Sequence, residues 1–191
     1  MSDINLTSKL KQKMAGRSRV RGRYNSSELY AINYGFKSGK LTPEQWLHAP
    51  ERTVKEMLTM FNGIGGHNQI QSLLDPKYCE NKVEFVYKDI VLVAKADYMP
   101  PDKLDEVWEL KTSEKLMTKM KPWQEHQVKL YTTMFNRPVG VVYQPVSNDE
   151  GIYLKDLGRV ERDDAWFGKE LEQLYAFHLE VENLWKALDK P

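Results

Sequence analysis

Apolar positions along the chain follow two rhythms, and the change between them divides it. Up to about residue 74 they recur at helical spacing, every three or four residues. "NSSEL" (25–29) offers Ser26 or Ser27 as the N-cap of a helix running to about Phe36 and stopping near Gly39. "TPEQW" (42–46) is a capping box, with Thr42 at the cap, Pro43 at the first helical position and Gln45 reaching back. Pro50 is expected to open a further helix through Phe61. "NGIGGHNQIQSLL" (62–74) is then expected to break at its glycines and restart as a helix carrying His67.

From Lys82 the period drops to two. "KVEFVYK" (82–88) and "DIVLVAKADYM" (89–99) read as strands joined by a tight turn at Lys88-Asp89. "DEVWELKT" (105–112) is a third strand, after a Pro-Pro-Asp loop. "PWQEHQVKLYTTMFN" (122–136) returns to helix, with Pro122 at its start. "VGVVYQPV" (139–146) reads as a buried strand and "GIYLKDL" (151–157) as an edge strand. The last helix, about 164–188, carries an apolar stripe of Leu171, Leu174, Tyr175, His178, Val181, Trp185 and Leu188. His178 within it reads as a packed histidine, not a ligand. The order predicts an α/β fold, a small mixed β-sheet flanked by helices.

Length and composition narrow the class. The 191 residues, 41% hydrophobic and 29% charged, suit one ordinary globular domain. No apolar run approaches the roughly 18–20 residues that span a bilayer, so no membrane association is expected. No apolar core follows the basic N-terminal segment, so no secretory signal is expected either. Cys79, the single cysteine, cannot make an intramolecular disulfide or hold a four-cysteine cluster. A reducing, cytoplasmic location fits, in a bacterial, archaeal or phage-infected cell.

Charge is unevenly placed. Lys9, Lys11, Lys13, Arg17, Arg19, Arg21 and Arg23 stand against Asp3 in residues 1–23, a net +6 in a chain of net +1. Residues 1–23 read as a flexible basic arm for polyphosphate, and 24–191 as the folded domain. The same Arg-rich, acid-poor composition would also serve a solvated leader or an organelle-targeting segment.

Candidate chemistry lies in the strands. Glu109 and Lys111 are two apart, hence on one strand face. An antiparallel neighbour could bring Asp97 beside Glu109. Two adjacent carboxylates repel and raise a pKa unless a cation lies between them. Their oxygens suit Mg²⁺ or Mn²⁺, one ion or two, which can bind a phosphate oxygen and acidify a water. A nearby ammonium could orient that water or stabilise developing charge.

Asp97…Glu109-Leu110-Lys111 resembles the core of the PD-(D/E)XK nuclease superfamily, which implies a restriction-endonuclease-like core. Further residues resemble its RecB-like branch, which includes the CRISPR-adaptation exonucleases. His67 in "GGHNQI" matches that branch's helical histidine, and Glu84 in "VEFVY" its acid in the strand ahead of the aspartate. Gln127 and Tyr131 match its Gln-x-x-x-Tyr helix, the spacing placing both on one face. "RYNSSEL" resembles its opening Ser-x-x-Leu helix. The resemblance covers roughly residues 62–145. It implies His67, Asp97, Glu109 and the Leu110 carbonyl as metal ligands, Lys111 as catalytic base or stabiliser, and Gln127 and Tyr131 towards the substrate strand. Ala96 departs from the family's proline, at a position that contributes no ligand. The cysteines that hold an iron–sulfur cluster in many relatives are missing, so no cluster is expected.

The expected activity is metal-dependent DNA hydrolysis, as an exonuclease on single-stranded ends in recombination, repair, or phage or CRISPR DNA processing. A structure-specific or restriction-like endonuclease of the same fold remains open, as does a non-catalytic DNA-binding module. Intact Asp97, Glu109 and Lys111 weigh against the module. No helicase motif is present, so unwinding would fall to a helicase or recombination partner.

Overall fold

The computed structural model describes residues 7–14, 19–48, 53–113 and 115–188. Helix α1 (Thr7–Met14) precedes a short strand β1 (Arg23–Asn25), which runs directly into α2 (Ser26–Lys37). Because the strand continues to Asn25, that residue, in extended conformation, is the N-cap, and the expected Ser26 is already helical and buried. Chain reversal after α2 uses Gly39 at φ +69°. Helix α3 (Pro43–Leu47) has the expected reciprocal box: Thr42 N–H donates to Gln45 Oε1 at 2.9 Å, and Gln45 N–H to Thr42 Oγ1 at 3.1 Å.

Helix α4 (Val54–Gln71) departs from expectation twice. It starts after Thr53, closed by a capping box with Glu56, while Pro50 lies outside the described residues. It also runs unbroken through Gly63, Gly65 and Gly66. A glycine costs a helix interior about 1 kcal/mol against alanine, which is a penalty and not a stop. Contacts with the end of the sheet offset it: Thr112 Oγ1 donates to the Gly63 carbonyl at 3.2 Å, and Gly66 lies against the same side chain.

The hairpin of β2 (Cys79–Tyr87) and β3 (Ile90–Tyr98) turns at Lys88-Asp89 as expected, with Lys88 at φ +52°. β4 (Glu106–Leu110), α5 (Pro122–Met134), β5 (Val139–Asn148), β6 (Gly151–Glu161) and α6 (Asp164–Leu188) follow. β6 is longer than expected and forms the sheet edge, pairing antiparallel with β5 across a bulge at Val142/Tyr143.

The register of β3 sets the site. β2 pairs with one side of it along most of its length. The other side takes β1 in parallel at Val91–Val93, then β4 antiparallel at the single pair Tyr98↔Trp108. β4 and β5 are parallel. This six-stranded mixed sheet is the expected α/β architecture.

Alternation along β5 separates two apolar clusters. Val142 belongs to the main core with Leu92, Ala94, Val107, Val128, Leu174 and Phe177. Val141 and Tyr143 form a smaller cluster with Leu110, Trp108 and Ile70 of α4. Trp108 and Leu110, on the strand face opposite Glu109, are thus packed. In α6, Leu171, Leu174, His178 and Val181 are buried, whereas Leu188 is exposed, so the stripe ends before the helix does. His178 accepts or donates at Nδ1 with the Tyr24 hydroxyl, 3.0 Å away, a packing role as expected.

Gly140 fixes the position of α5. A Cβ there would stand 2.8 Å from the Val128 carbonyl and 2.9 Å from Val128 Cγ2. Helix and strand backbones therefore touch, and this close approach brings Gln127 and Tyr131 over the end of β4.

Candidate active site

The β3–β4 ladder stops after Tyr98↔Trp108, and the next antiparallel pair would be Asp97 with Glu109. Instead of a backbone bond, the Asp97 side chain spans the gap: Leu110 N–H donates to Asp97 Oδ2 at 2.7 Å. From α4, His67 Nε2 stands 3.4 Å from Asp97 Oδ1. One turn later Gln71 donates Nε2–H to the Asp97 carbonyl at 3.1 Å, tying the helix to the strand.

Glu109 has the parity of Val107 and faces α5. Lys111 Nζ donates to its Oε1. Its Oε2 is buried without a hydrogen-bond partner. Burial first, and then the Asp97 charge, push the Glu109 carboxyl up to about 7 from an ordinary 4.5, with Lys111 opposing. Burial likewise pushes Asp97 up to about 6, opposed by the Leu110 N–H and by Lys111. Burial lowers the His67 imidazole from its ordinary value, with the Glu109 and Glu80 charges opposing.

Gln127 and Tyr131 continue the network from α5. Lys111 Nζ also donates to Gln127 Oε1 at 3.3 Å, and Gln127 Nε2–H donates to the Tyr131 hydroxyl at 2.7 Å. Tyr131 in turn donates to the Lys95 carbonyl of β3 at 2.9 Å. Burial raises the Tyr131 phenol well above its ordinary value, so it stays protonated.

The structure therefore gathers His67, Asp97, Glu109, Leu110, Lys111, Gln127 and Tyr131 at one place. Glu84 is not among them. It is exposed on β2, accepting from Arg23 Nη1 at 3.1 Å and Lys82 Nζ at 2.8 Å, and these bonds hold its carboxyl down at about 2. Glu80, which the sequence reading passed over, stands closer: its Oε1 is 4.0 Å from His67 Nε2. The pairs Cys79↔Tyr98 and Asn81↔Ala96 bracket it, so it lies across from Asp97 in register. It also pairs with Lys95 and has φ +55°, the left-handed region. The missed signal is strand length. β2 starts at Cys79, before the first residue of the expected strand.

The basic arm also differs from expectation. Lys9 and Lys11 are exposed on α1, Lys13 lies in the same helix, and Arg17 is outside the described residues. Arg19 pairs with Glu28 and lies 4.2 Å over the Trp46 ring. Arg21 Nε donates to both Glu182 oxygens at 2.8 and 3.0 Å, and Arg23 pairs with Glu84. The last three arginines are tied into the fold because acids of α2, α6 and β2 meet them there.

Among the described residues, no three His, Cys, Asp or Glu side chains are gathered closely enough to enclose a metal ion. The groups come in two halves, His67–Asp97 and Glu109 with its Lys111 partner, joined through the Leu110 amide. Glu109 Oε2, buried and partnerless beside a second raised carboxyl, is what a hard divalent ion would satisfy. The oxygen and imidazole chemistry of these groups suits such an ion, although they are not gathered closely around one point.

No family model and no curated protein matches the chain. Solved structures do match it in fold. An alkaline exonuclease, LHK-Exo from Laribacter hongkongensis, superposes with TM-score 0.56 at 16% identity, over 88% of this chain and 92% of that one. Its complex with dAMP gives 0.58 over the same shares. A phage-related exonuclease from Haemophilus somnus 129PT gives 0.53 at 13% identity, over 89% and 98%. The chain shares its fold with these exonucleases. No helix among the described residues is long and apolar enough to cross a membrane.

Proposed function

We propose that this protein is a divalent-metal-dependent deoxyribonuclease that works as an exonuclease on single-stranded DNA ends. The carrying observation is the pair of buried carboxyls, Asp97 and Glu109, both pushed well above the ordinary carboxylate range at adjacent strand ends, with Lys111 bonded to Glu109 Oε1. A carboxylate so placed is costly unless a cation is bound, and phosphodiester hydrolysis uses such a cation. Exonuclease fold neighbours support the reading.

His67, Asp97, Glu109 and the Leu110 carbonyl would hold Mg²⁺ or Mn²⁺, which supplies a Lewis acid for the phosphate oxygen and a more acidic water. Asp97 orients the Leu110 peptide through its N–H. Lys111 lies between the Glu109 carboxylate and Gln127 and presents its ammonium to the attacking water or the developing phosphorane charge. Gln127 holds that ammonium in register, itself held by Tyr131. Lys9 and Lys11 supply positive charge for the phosphate backbone. By resemblance, products carry 5′-phosphate and 3′-hydroxyl ends, and a helicase or recombination protein supplies the unpaired end.

End-labelled linear and circular single-stranded DNA, incubated with Mg²⁺, Mn²⁺ or EDTA, tests this. Cleavage of the linear form alone, and only with metal, supports it. Cleavage of circles assigns an endonuclease, and no cleavage under any divalent metal rejects the enzyme.

A further inference from the structure

Trp123 continues the row of Gln127 and Tyr131 one turn outward, since α5 positions 123, 127 and 131 recur every four residues. Gln127 and Tyr131 are buried, whereas Trp123 is 40% exposed. It lies in the first turn of the helix, beside the catalytic lysine: Lys111 Nζ is 4.8 Å from the centroid of its ring, over the face. A tryptophan gains most from deep burial, and this one leaves much of its indole in water at the lip of a polar site.

The loop before it is rich in lysine, with Glu125 the acid of the helix's first turn. The loop joining β4 to α5 displays Lys115, Lys119 and Lys121, all exposed. That loop is pinned: Gln144 accepts the Met117 N–H at 2.8 Å and donates to the Lys115 carbonyl at 2.9 Å. Exposed lysines on a pinned loop that leads into an open aromatic side chain are the combination that receives single-stranded nucleic acid. Charge follows the backbone and the ring stacks a base.

We propose that Trp123 is the platform on which the nucleobase next to the phosphate held at Lys111 stacks. This rests on the nuclease reading and adds how the substrate is gripped. With Lys111 over one face of the indole, the base is received on the solvent-open remainder. Stacking needs a base free of its partner, so Trp123 favours single strands over duplex. It tolerates any sequence, because every base presents a π face.

Single-stranded oligonucleotides carrying 2-aminopurine at successive positions from either end, titrated in EDTA, test the proposal. Wild type should quench the probe at one position near an end. Trp123→Phe should keep that quenching, and Trp123→Ala should lose it and bind about 5- to 150-fold more weakly. Equal quenching and affinity for Trp123→Ala and wild type, in a wild type that cuts with Mn²⁺, overturns this proposal and leaves the nuclease reading standing. A wild type that neither binds nor cuts overturns both.

Discussion

The Asp97 carboxylate accepts the Leu110 amide at 2.7 Å, where a backbone carbonyl would have continued the β3–β4 ladder. Backbone pairing of β3 with β4 is limited to Tyr98↔Trp108, this side chain takes the place of the next ladder bond, and the residues gathered there form the candidate site. Asp97 therefore has two separable duties: it closes a backbone hydrogen bond and it carries charge.

Asp97→Asn keeps an acceptor for the Leu110 amide and removes the charge. It should melt near wild type and lose the rise in Tm that Mn²⁺ gives wild type. Asp97→Ala should also lose about 1–3 kcal/mol, the cost of leaving a buried amide unpaired. Thermal melts with and without metal check both. An Asn variant that still gains stability from Mn²⁺ would remove Asp97 from the ligand set.

The raised carboxyls make stability depend on pH. Asp97 near 6 and Glu109 near 7 hold protons more tightly folded than at their ordinary 3.8 and 4.5. The folded state thus binds more protons than the unfolded one between roughly pH 4 and 7. Their stabilising contribution is full below the ordinary values and is lost as pH rises through the folded ones. In EDTA, Tm should fall from about pH 5 to about pH 8, and Glu109→Gln should remove much of that fall. Mn²⁺ should raise Tm more at the higher pH, where the carboxyls are ionised. A metal-free Tm with the same pH profile in wild type and Glu109→Gln contradicts this.

Gly140→Ala tests how α5 reaches the site. The added methyl meets the Val128 carbonyl at 2.8 Å, so helix and strand must part. Overpacking of this kind costs about 1–3 kcal/mol and would draw Gln127 away from Lys111. Denaturant melts should show the loss, and turnover should fall further than the unfolded fraction explains. Wild-type stability would mean that α5 tolerates the shift.

Glu80 and Glu84 should separate cleanly. Glu84→Gln breaks only exposed pairs with Arg23 and Lys82 and should leave cleavage unchanged. Glu80→Gln alters the field at His67 and Asp97, and should change the Mg²⁺ or Mn²⁺ concentration needed for half-maximal rate. The reverse pattern would restore Glu84 to the site.

Much of this was legible in sequence because periodicity and capping are local. The Thr42–Gln45 box, the hairpin turn and the Gln127/Tyr131 row follow from neighbours a few residues apart. The glycines of α4 misled because a local penalty was overridden by contacts with Thr112, 49 residues away in sequence. Glu84 misled because its family match rests on sequence order, while the partner of Asp97 is decided by register, which favours Glu80. Trp123 carried no motif. Its place became visible only once Lys111 was seen over the ring.

The central claim is that Lys111 acts in the transition state while Asp97 and Glu109 hold the ion. An interaction made mainly in the transition state lowers turnover and spares affinity. The direct measurement is single-turnover cleavage of end-labelled single-stranded DNA with Mn²⁺, for wild type and Lys111→Ala, beside DNA binding in EDTA. Cleavage should fall by about 10²–10³ with binding near wild type. A Lys111→Ala protein that cuts at the wild-type rate, or that fails to cut only because it no longer binds DNA, would contradict the account.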